Sequence, residues 1–224
     1  MNKPAETPSN SGERKNPQRD ARRYSKEEAE RDRQLVAASK KNDKTAFNEL
    51  VVRFRRRIYA MLVNMTHNEQ DAWDLSQDTF VKAWKALPRF EGKSSFYTWI
   101  YRIAYNVGAD WLRKKKLQSS TEFDDGISST GRVEPGAPTV PQSAPSPSRA
   151  LERRELRQRI EKAMKKLSPE HRAVILMKEM EGMSYQQIAD ALECSIGTVM
   201  SRLFYARKKL QSLLKDAKDA YGKS

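Results

Sequence analysis

The sequence predicts an all-α protein: two small helical domains joined by a flexible linker. Three observations predict it. Apolar residues recur at i, i+3, i+4 and i+7 over several long stretches, and none alternates convincingly as a strand would. Ser, Asp or Asn stands just before most of these stretches, where each can cap a helix. Between residues 117 and 147 the periodicity stops, and the chain is rich in Ser, Pro and Gly. A loop this long inside one compact domain would be unusual, so it reads as a linker between residues 25–116 and 148–214. Tails at 1–24 and 215–224 complete the chain. The first is too polar to offset its chain entropy by burial and is expected to be disordered.

Taken in order, Ser25 with Glu28 forms a capping box that opens a helix from Lys26 to about Lys40. Asn42 and Asp43 end it, and Asp43 can cap the next helix. There Phe47, Leu50, Val51, Phe54, Ile58, Met61, Leu62 and Met65 form one apolar face. Asn68 can cap a third helix with Ala72, Leu75, Phe80, Ala83, Trp84 and Leu87 on one side, ended by Pro88. A loop follows, with Gly92 in it. A fourth helix starts after Ser94 or Ser95, buries Phe96, Ile100, Ile103, Val107 and Leu112, and runs out in Lys114, Lys115 and Lys116. Trp99, Arg102, Asn106, Asp110 and Arg113 form a second row along it.

Beyond the linker, Ser148 caps a helix that points Leu151, Leu156, Ile160, Ala163, Met164 and Leu167 inward. Ser168 and Pro169 restart the chain as N-cap and first helical residue. The next helix carries Ala173, Leu176, Met177 and Met180 and ends near Gly182; Met177, Met180 and Met183 read as core filler. Ser184 then caps a short helix with Ile188, Ala189 and Leu192 inward. Glu193, Cys194 and Ser195 break it, and a last helix turns Ile196, Val199 and Leu203 inward. Its outer face carries Thr198, Ser201, Arg202, Tyr205 and Arg207. A short helix, a tight turn and a second helix with a basic outer face is the layout of a helix-turn-helix. An ordinary helical hairpin is the other reading of that stretch.

The formal charge of +14 and pI near 9.8 suit a polyanionic partner, bound by phosphate neutralisation and counterion release. No apolar run approaches the roughly 20 residues of a membrane span, and the N-terminus lacks the apolar core of a signal peptide. A cytoplasmic location is therefore expected. Cys194 is the only cysteine, and His67 and His171 are the only histidines. That inventory excludes an intrachain disulfide, leaves a His/Cys zinc site without ligands, and recommends no nucleophile–base pair. No cofactor or metal is expected, and no enzyme.

With these segments in order, the chain resembles the extracytoplasmic-function (group IV) sigma factors of bacterial RNA polymerase. AFNELVVRFRRRIYAML is similar to the start of the family's region 2, and DLSQDTFVKAWKAL to its core-polymerase-binding segment. FEGKSSFYTWIYRIAYNVGADWLRKK is similar to its promoter-melting and −10-reading segment. LSPEHRAVILMKEMEGMSYQQIADALECSIGTVMSRLFYARKKL is similar to region 4, the −35 reader. The resemblance implies a core-polymerase contact at Asp74, Leu75, Gln77, Asp78, Phe80, Lys82 and Trp84, with Phe80 expected in the domain core. It implies −10 DNA contacts at Phe90, Lys93, Ser94, Ser95, Tyr97, Arg102, Asn106, Arg113 and Lys114. For −35 duplex it implies Thr198, Met200, Ser201, Arg202, Phe204, Tyr205 and Lys208. Trp99 is read as packing rather than stacking on a base. Implied partners are the clamp helices of the largest polymerase subunit, the flap of the second-largest, promoter DNA, and an anti-sigma factor that in relatives is often membrane-anchored. A free monomer is expected.

The chain departs from the family at Met200, where a cation is usual, and at Tyr205, which often corresponds to Arg or His. Apolar contact to thymine methyls would replace a phosphate or guanine contact there, altering −35 preference. Two alternatives stay open at this point. One is an autonomous helix-turn-helix regulator, which predicts a dimer on a palindromic operator. The other is a helical nucleic-acid enzyme with magnesium on Asp71, Asp74 and Asp78.

Overall fold

The computed structural model describes residues 24–121 and 147–221, and among these residues every regular element is helical. The first half comprises α1 (Lys26–Lys40), α2 (Lys44–Thr66), α3 (Glu69–Ala86), a 3-10 turn (Leu87–Arg89) and α4 (Phe96–Thr121). The second comprises α5 (Pro147–Lys165), α6 (Pro169–Ile175), a π-helical turn (Leu176–Met180), α7 (Tyr185–Leu192) and α8 (Ile196–Tyr221). The reading of 1–23 as a tail and of most of the linker lies outside the described residues.

The caps follow the sequence signals. Ser25 Oγ accepts from Glu28 N–H at 3.1 Å while Glu28 Oε2 accepts from Ser25 N–H at 2.8 Å, completing the capping box of α1. Asp43 accepts from the N–H groups of Thr45 and Ala46, and Asn68 from those of Gln70 and Asp71. The first core is built from Leu50, Phe54, Ile58, Met61, Leu62 and Met65 of α2, Ala72, Leu75, Phe80 and Ala83 of α3, and Phe96, Ile100, Ala104 and Val107 of α4. Gly108 lets α4 approach α2 closely: a Cβ there would lie 2.8 Å from Met65 Cε.

Four expectations are corrected. The helix does not run out at the lysines: α4 continues to Thr121, with no Gly or Pro between Lys116 and Gly126. From Pro147, where the described residues resume, the chain is already helical, so Ser148 stands inside α5. Leu156 and Ile160 are exposed: among the described side chains of α5 burial comes only in the last turn, through Ala163 and Met164, with Leu167 following. Met180 and Ile196 are exposed too. At Met180 the cause is the π turn: Glu181 N–H reaches back to Leu176 O, and the extra residue shifts the 3.6-residue phase that would have turned Met180 inward. Ile196 sits at the first position of α8, ahead of the turn where Val199 and Leu203 become buried.

The two halves do not stand apart. α7 packs along α4, and α6 meets the end of α2. Arg172 of α6, only 4% exposed, places all five of its N–H bonds on main-chain carbonyls. Nε donates to Met164 O, Nη2 to Lys165 O and Leu167 O, and Nη1 to Asn64 O and Met65 O, at 2.9–3.1 Å. One guanidinium thus caps the C-terminal carbonyls of α5 and of α2, where helix dipoles favour a cation.

Candidate nucleic-acid interface

The helix-turn-helix is locally encoded. Ser184 and Gln187 form a second capping box at the start of α7, with bonds of 3.1 and 2.8 Å. Glu193 ends α7 in the left-handed region at φ 50°, and Cys194 N–H closes back on Ala189 O at 3.1 Å. Ser195 Oγ then accepts from Thr198 N–H at 3.0 Å and opens α8. Ile188, Ala189 and Leu192 of α7 meet Val199 and Leu203 of α8 in the interior.

That packing fixes what α8 shows to solvent. Met200, Phe204 and Tyr205 are 54, 61 and 58% exposed, and the last two rings meet edge to face at 5.4 Å. Ser201 and Lys208 are exposed, Thr198 and Arg202 half-buried. Thr198 is engaged by Ser195 Oγ, and Ser201 Oγ donates to Thr198 O. This outer face is therefore apolar at its centre and basic at the Arg207 to Lys209 end. Arg207 pairs with Glu179 at 2.6 Å, which raises its pKa, first through that hydrogen bond.

In the first half, the loop before α4 and the outer row of α4 hold the other candidates. Ser95 caps α4, accepting from Thr98 N–H at 3.1 Å. Phe90 is half-buried against Trp99 and Phe96, at ring distances of 4.8 and 6.4 Å. Trp99 is buried, as packing requires. Lys93 is exposed and paired with Glu91; Ser94 is half-buried. Asn106, Arg113 and Lys114 are exposed, with Arg113 near Asp110 at 3.2 Å.

Tyr97 is placed differently from expectation. It is 1% exposed, stacked on Tyr24 at 4.5 Å, and its hydroxyl donates to Glu181 O at 3.0 Å. Burial, then the Glu181 carboxylate, pushes its pKa far up. In this arrangement it offers nothing to a nucleic acid. Arg102 is tied to Glu193 across the domains at 3.5 Å.

On α3 the seven expected contact residues divide by face. Asp74, Gln77, Asp78 and Lys82 form an exposed polar stripe, while Leu75 and Phe80 belong to the core. Trp84 is half-buried on Phe47 at 4.8 Å. Trp73, 55% exposed beside the stripe and edge-on to Tyr59, escaped the sequence reading because it breaks the apolar period. So did the interior pair Asp32 and Arg53, joined at 2.8 Å with Tyr24 on the other carboxylate oxygen; burial holds the Asp32 carboxyl up. Among the described residues no group of three or more His, Cys, Asp or Glu is placed to hold a metal, so the arrangement imagined at Asp71, Asp74 and Asp78 has no support.

Two helical units, one ending in a helix-turn-helix with an open outer face, define an all-helical protein of the helix-turn-helix class. Residues 50–118 match Sigma-70 region 2, and residues 157–210 match Sigma-70, region 4. The RNA polymerase sigma-H factor of Pseudomonas aeruginosa is 36% identical over 200 residues, 84% of this chain and 98% of the relative. The ECF RNA polymerase sigma-E factor of Escherichia coli is 35% identical over 181 residues, 81% of this chain and 93% of the relative. Among solved structures, CnrH in complex with the cytosolic domain of CnrY is similar at TM-score 0.58 and 27% identity, covering 83% of this chain and 98% of that one. The sigma factor RpoE in complex with the anti-sigma factor NepR from Bartonella quintana is similar at TM-score 0.56 and 28% identity, covering 75% and 96%. The chain belongs to the extracytoplasmic-function sigma factors of RNA polymerase. The match to region 2 favours this over an autonomous helix-turn-helix regulator. No helix among the described residues is long and apolar enough to cross a membrane.

Proposed function

We propose that this sigma factor divides its work between the two halves. The stripe Asp74, Gln77, Asp78 and Lys82, with Trp84 beside it, docks on the clamp helices of the largest polymerase subunit. Buried Leu75 and Phe80 hold α3 in place for it. Region 4 meets the flap of the second-largest subunit and lays α8 in the major groove of −35 duplex. Met200, Phe204 and Tyr205 supply apolar contact there, Ser201 and Arg202 polar contact, and Lys208 a phosphate contact. In region 2, Phe90, Lys93, Ser94 and Ser95 line the loop that receives a base unstacked from the −10 element. Asn106 reads a base edge, while Arg102, Arg113 and Lys114 take phosphates. Tyr97 joins this surface once the second half moves away.

Nucleotide addition belongs to the core enzyme, so the chain is no catalyst. It acts in the cytoplasm. It is held in check by an anti-sigma factor; the complexes of its structural neighbours support that partner.

The observation that carries the reading is the presence of both sigma segments, in order, on one chain whose second segment ends in a helix-turn-helix. The test is initiation in vitro by Arg202→Ala and Asn106→Ala proteins with core polymerase. The first should lose dependence on the −35 sequence, the second should slow opening at −10. Unchanged initiation by both variants would overturn the assignment.

A further inference from the structure

The loop assigned to the −10 base runs between two fixed ends. At its far end Ser95 Oγ accepts from Thr98 N–H at 3.1 Å and Ser95 O accepts from Trp99 N–H at 3.0 Å, which ties Ser95 to the frame of α4. At its near end Phe90 is held in three ways. Its ring packs on Trp99 at 4.8 Å, its N–H donates to Leu87 O at 3.0 Å, and its carbonyl accepts from Lys40 Nζ at 2.8 Å. Between the ends Gly92 turns the chain at φ 74°, and Lys93 pairs with Glu91.

The last of the three ties on Phe90 comes from outside α3 and α4. Lys40 is the final residue of α1, fifty positions before Phe90. The end of α1 is itself fixed. Val36 and Ser39 are buried, Ser39 Oγ donates to Leu35 O at 2.7 Å, and the N–H groups of Lys41, Asn42 and Asp43 fold back on the carbonyls of Ala38 and Ser39. The lysine side chain is exposed and is no part of the core. What its ammonium holds is a direction. The carbonyl of Phe90 and the N–H of Glu91 belong to one planar peptide, so fixing the oxygen fixes the plane from which the loop departs.

We propose that Lys40 is a positioning residue for promoter melting: by holding Phe90 O it preforms the loop that receives the unstacked −10 base. This rests on the assignment of that loop to the −10 base above. Unstacking a base already costs free energy. A loop that had to be ordered at the same moment would add its own conformational entropy to that cost. A loop ordered in advance by Lys40, Trp99 and Thr98 avoids the second cost. Lys40 itself touches no base in this role.

An exposed lysine can also take a phosphate, and the experiment separates the two roles. Full-length Lys40→Met and Lys40→Arg proteins are compared with the unaltered chain on core polymerase. Methionine keeps the apolar stem and the helix preference, while arginine keeps a donor. Loss of one hydrogen bond corresponds to a factor of about five. Lys40→Met should therefore form open complexes about fivefold more slowly, and Lys40→Arg should recover most of the rate. A scan of single abasic sites through the −10 element locates the captured nucleotide as the one whose loss slows the unaltered protein most. On that template the unaltered and Lys40→Met proteins should open at equal rates, because the tether acts only through the base. In the free chain, amide exchange at Phe90 should be about fivefold faster in Lys40→Met, with the thermal midpoint unchanged.

A defect that persists on the abasic template, with a shallower dependence on salt, makes Lys40 a phosphate ligand and overturns the proposal. A lowered midpoint in Lys40→Met overturns it by reducing Lys40 to a structural role. Unchanged opening on the intact promoter, or unchanged exchange at Phe90, overturns it as well. Exchange in the free chain needs no promoter, so that failure leaves base capture standing. If no abasic site slows the unaltered protein, base capture itself fails, and the role of the tether falls with it whatever the exchange at Phe90.

Discussion

Replacing Arg172 by methionine should remove more stability than any other single change at the domain boundary. The guanidinium is 4% exposed and donates five hydrogen bonds to carbonyls at the ends of α5 and α2. Bonds from a charged donor contribute roughly 1.5–3 kcal/mol each. Against their loss stands relief of the guanidinium's desolvation, several kcal/mol for a buried ion. Burial already pulls the Arg172 pKa down, which marks that cost. Methionine fills much of the volume, so the cavity contribution is small. Taking the low end of the charged bonds less the desolvation, the net loss is at least about 3 kcal/mol. For a chain of this size that lowers the thermal midpoint by about 6–12 °C. Circular dichroism at the helical band, followed on heating, reads it directly. A fall smaller than about 2 °C would show that the carbonyls rehydrate freely and that Arg172 holds neither helix end.

Other perturbations have equally definite outcomes. His67 stays exposed at the end of α2, and its pKa is pushed down to about 4 by partial desolvation of the imidazole first, then by the neighbouring Arg172 and Lys165 charges. The folded chain therefore binds fewer protons than the unfolded one between that value and the ordinary 6.5. Its contribution is complete above the ordinary value and is lost as pH falls toward 4. His67→Asn, which tolerates the φ of 56° there, should lose less stability between pH 7 and 5 in urea titrations; equal losses would refute the assignment. Gly108→Val should cost about 1–3 kcal/mol by urea unfolding through overpacking against Met65 and Leu62, whereas Gly108→Ala should be near neutral because the end of Met65 can shift. Ser184→Ala removes the cap of an eight-residue helix and should cost about 1 kcal/mol, read as faster amide exchange in α7 than in α4. Met200→Arg should change the −35 sequences recovered in promoter selection; identical preferences would refute apolar reading by this face.

Local signals were legible in the sequence, and long-range ones were not. Ser25, Asp43, Asn68, Ser168 and Ser184 announce helix starts because a cap is a contact between residues two or three apart. The face from Leu50 to Met65 is legible because burial repeats with the helix. Met180 was misread because a π turn changes that repeat without changing composition. The exposed stripe of α3 could be separated from Leu75 and Phe80 only in part, since period alone does not say how wide a buried face is. Arg172 looks like one more surface cation until the ends of α2 and α5 are brought to it. Tyr97 suits a stacking role by type, and only the fold shows Tyr24 and Glu181 against it. The resemblance located the candidate interface, while the contacts across it came from the folded chain.

Transcription in vitro with purified core polymerase, with and without this chain, decides whether it works as a sigma factor. Promoter-specific transcripts from promoters of the source genome are expected only when the chain is present, with the free chain binding duplex promoter poorly. Failure to obtain such a transcript from any of those promoters, together with tight dimeric binding to a palindromic duplex without polymerase, would contradict it.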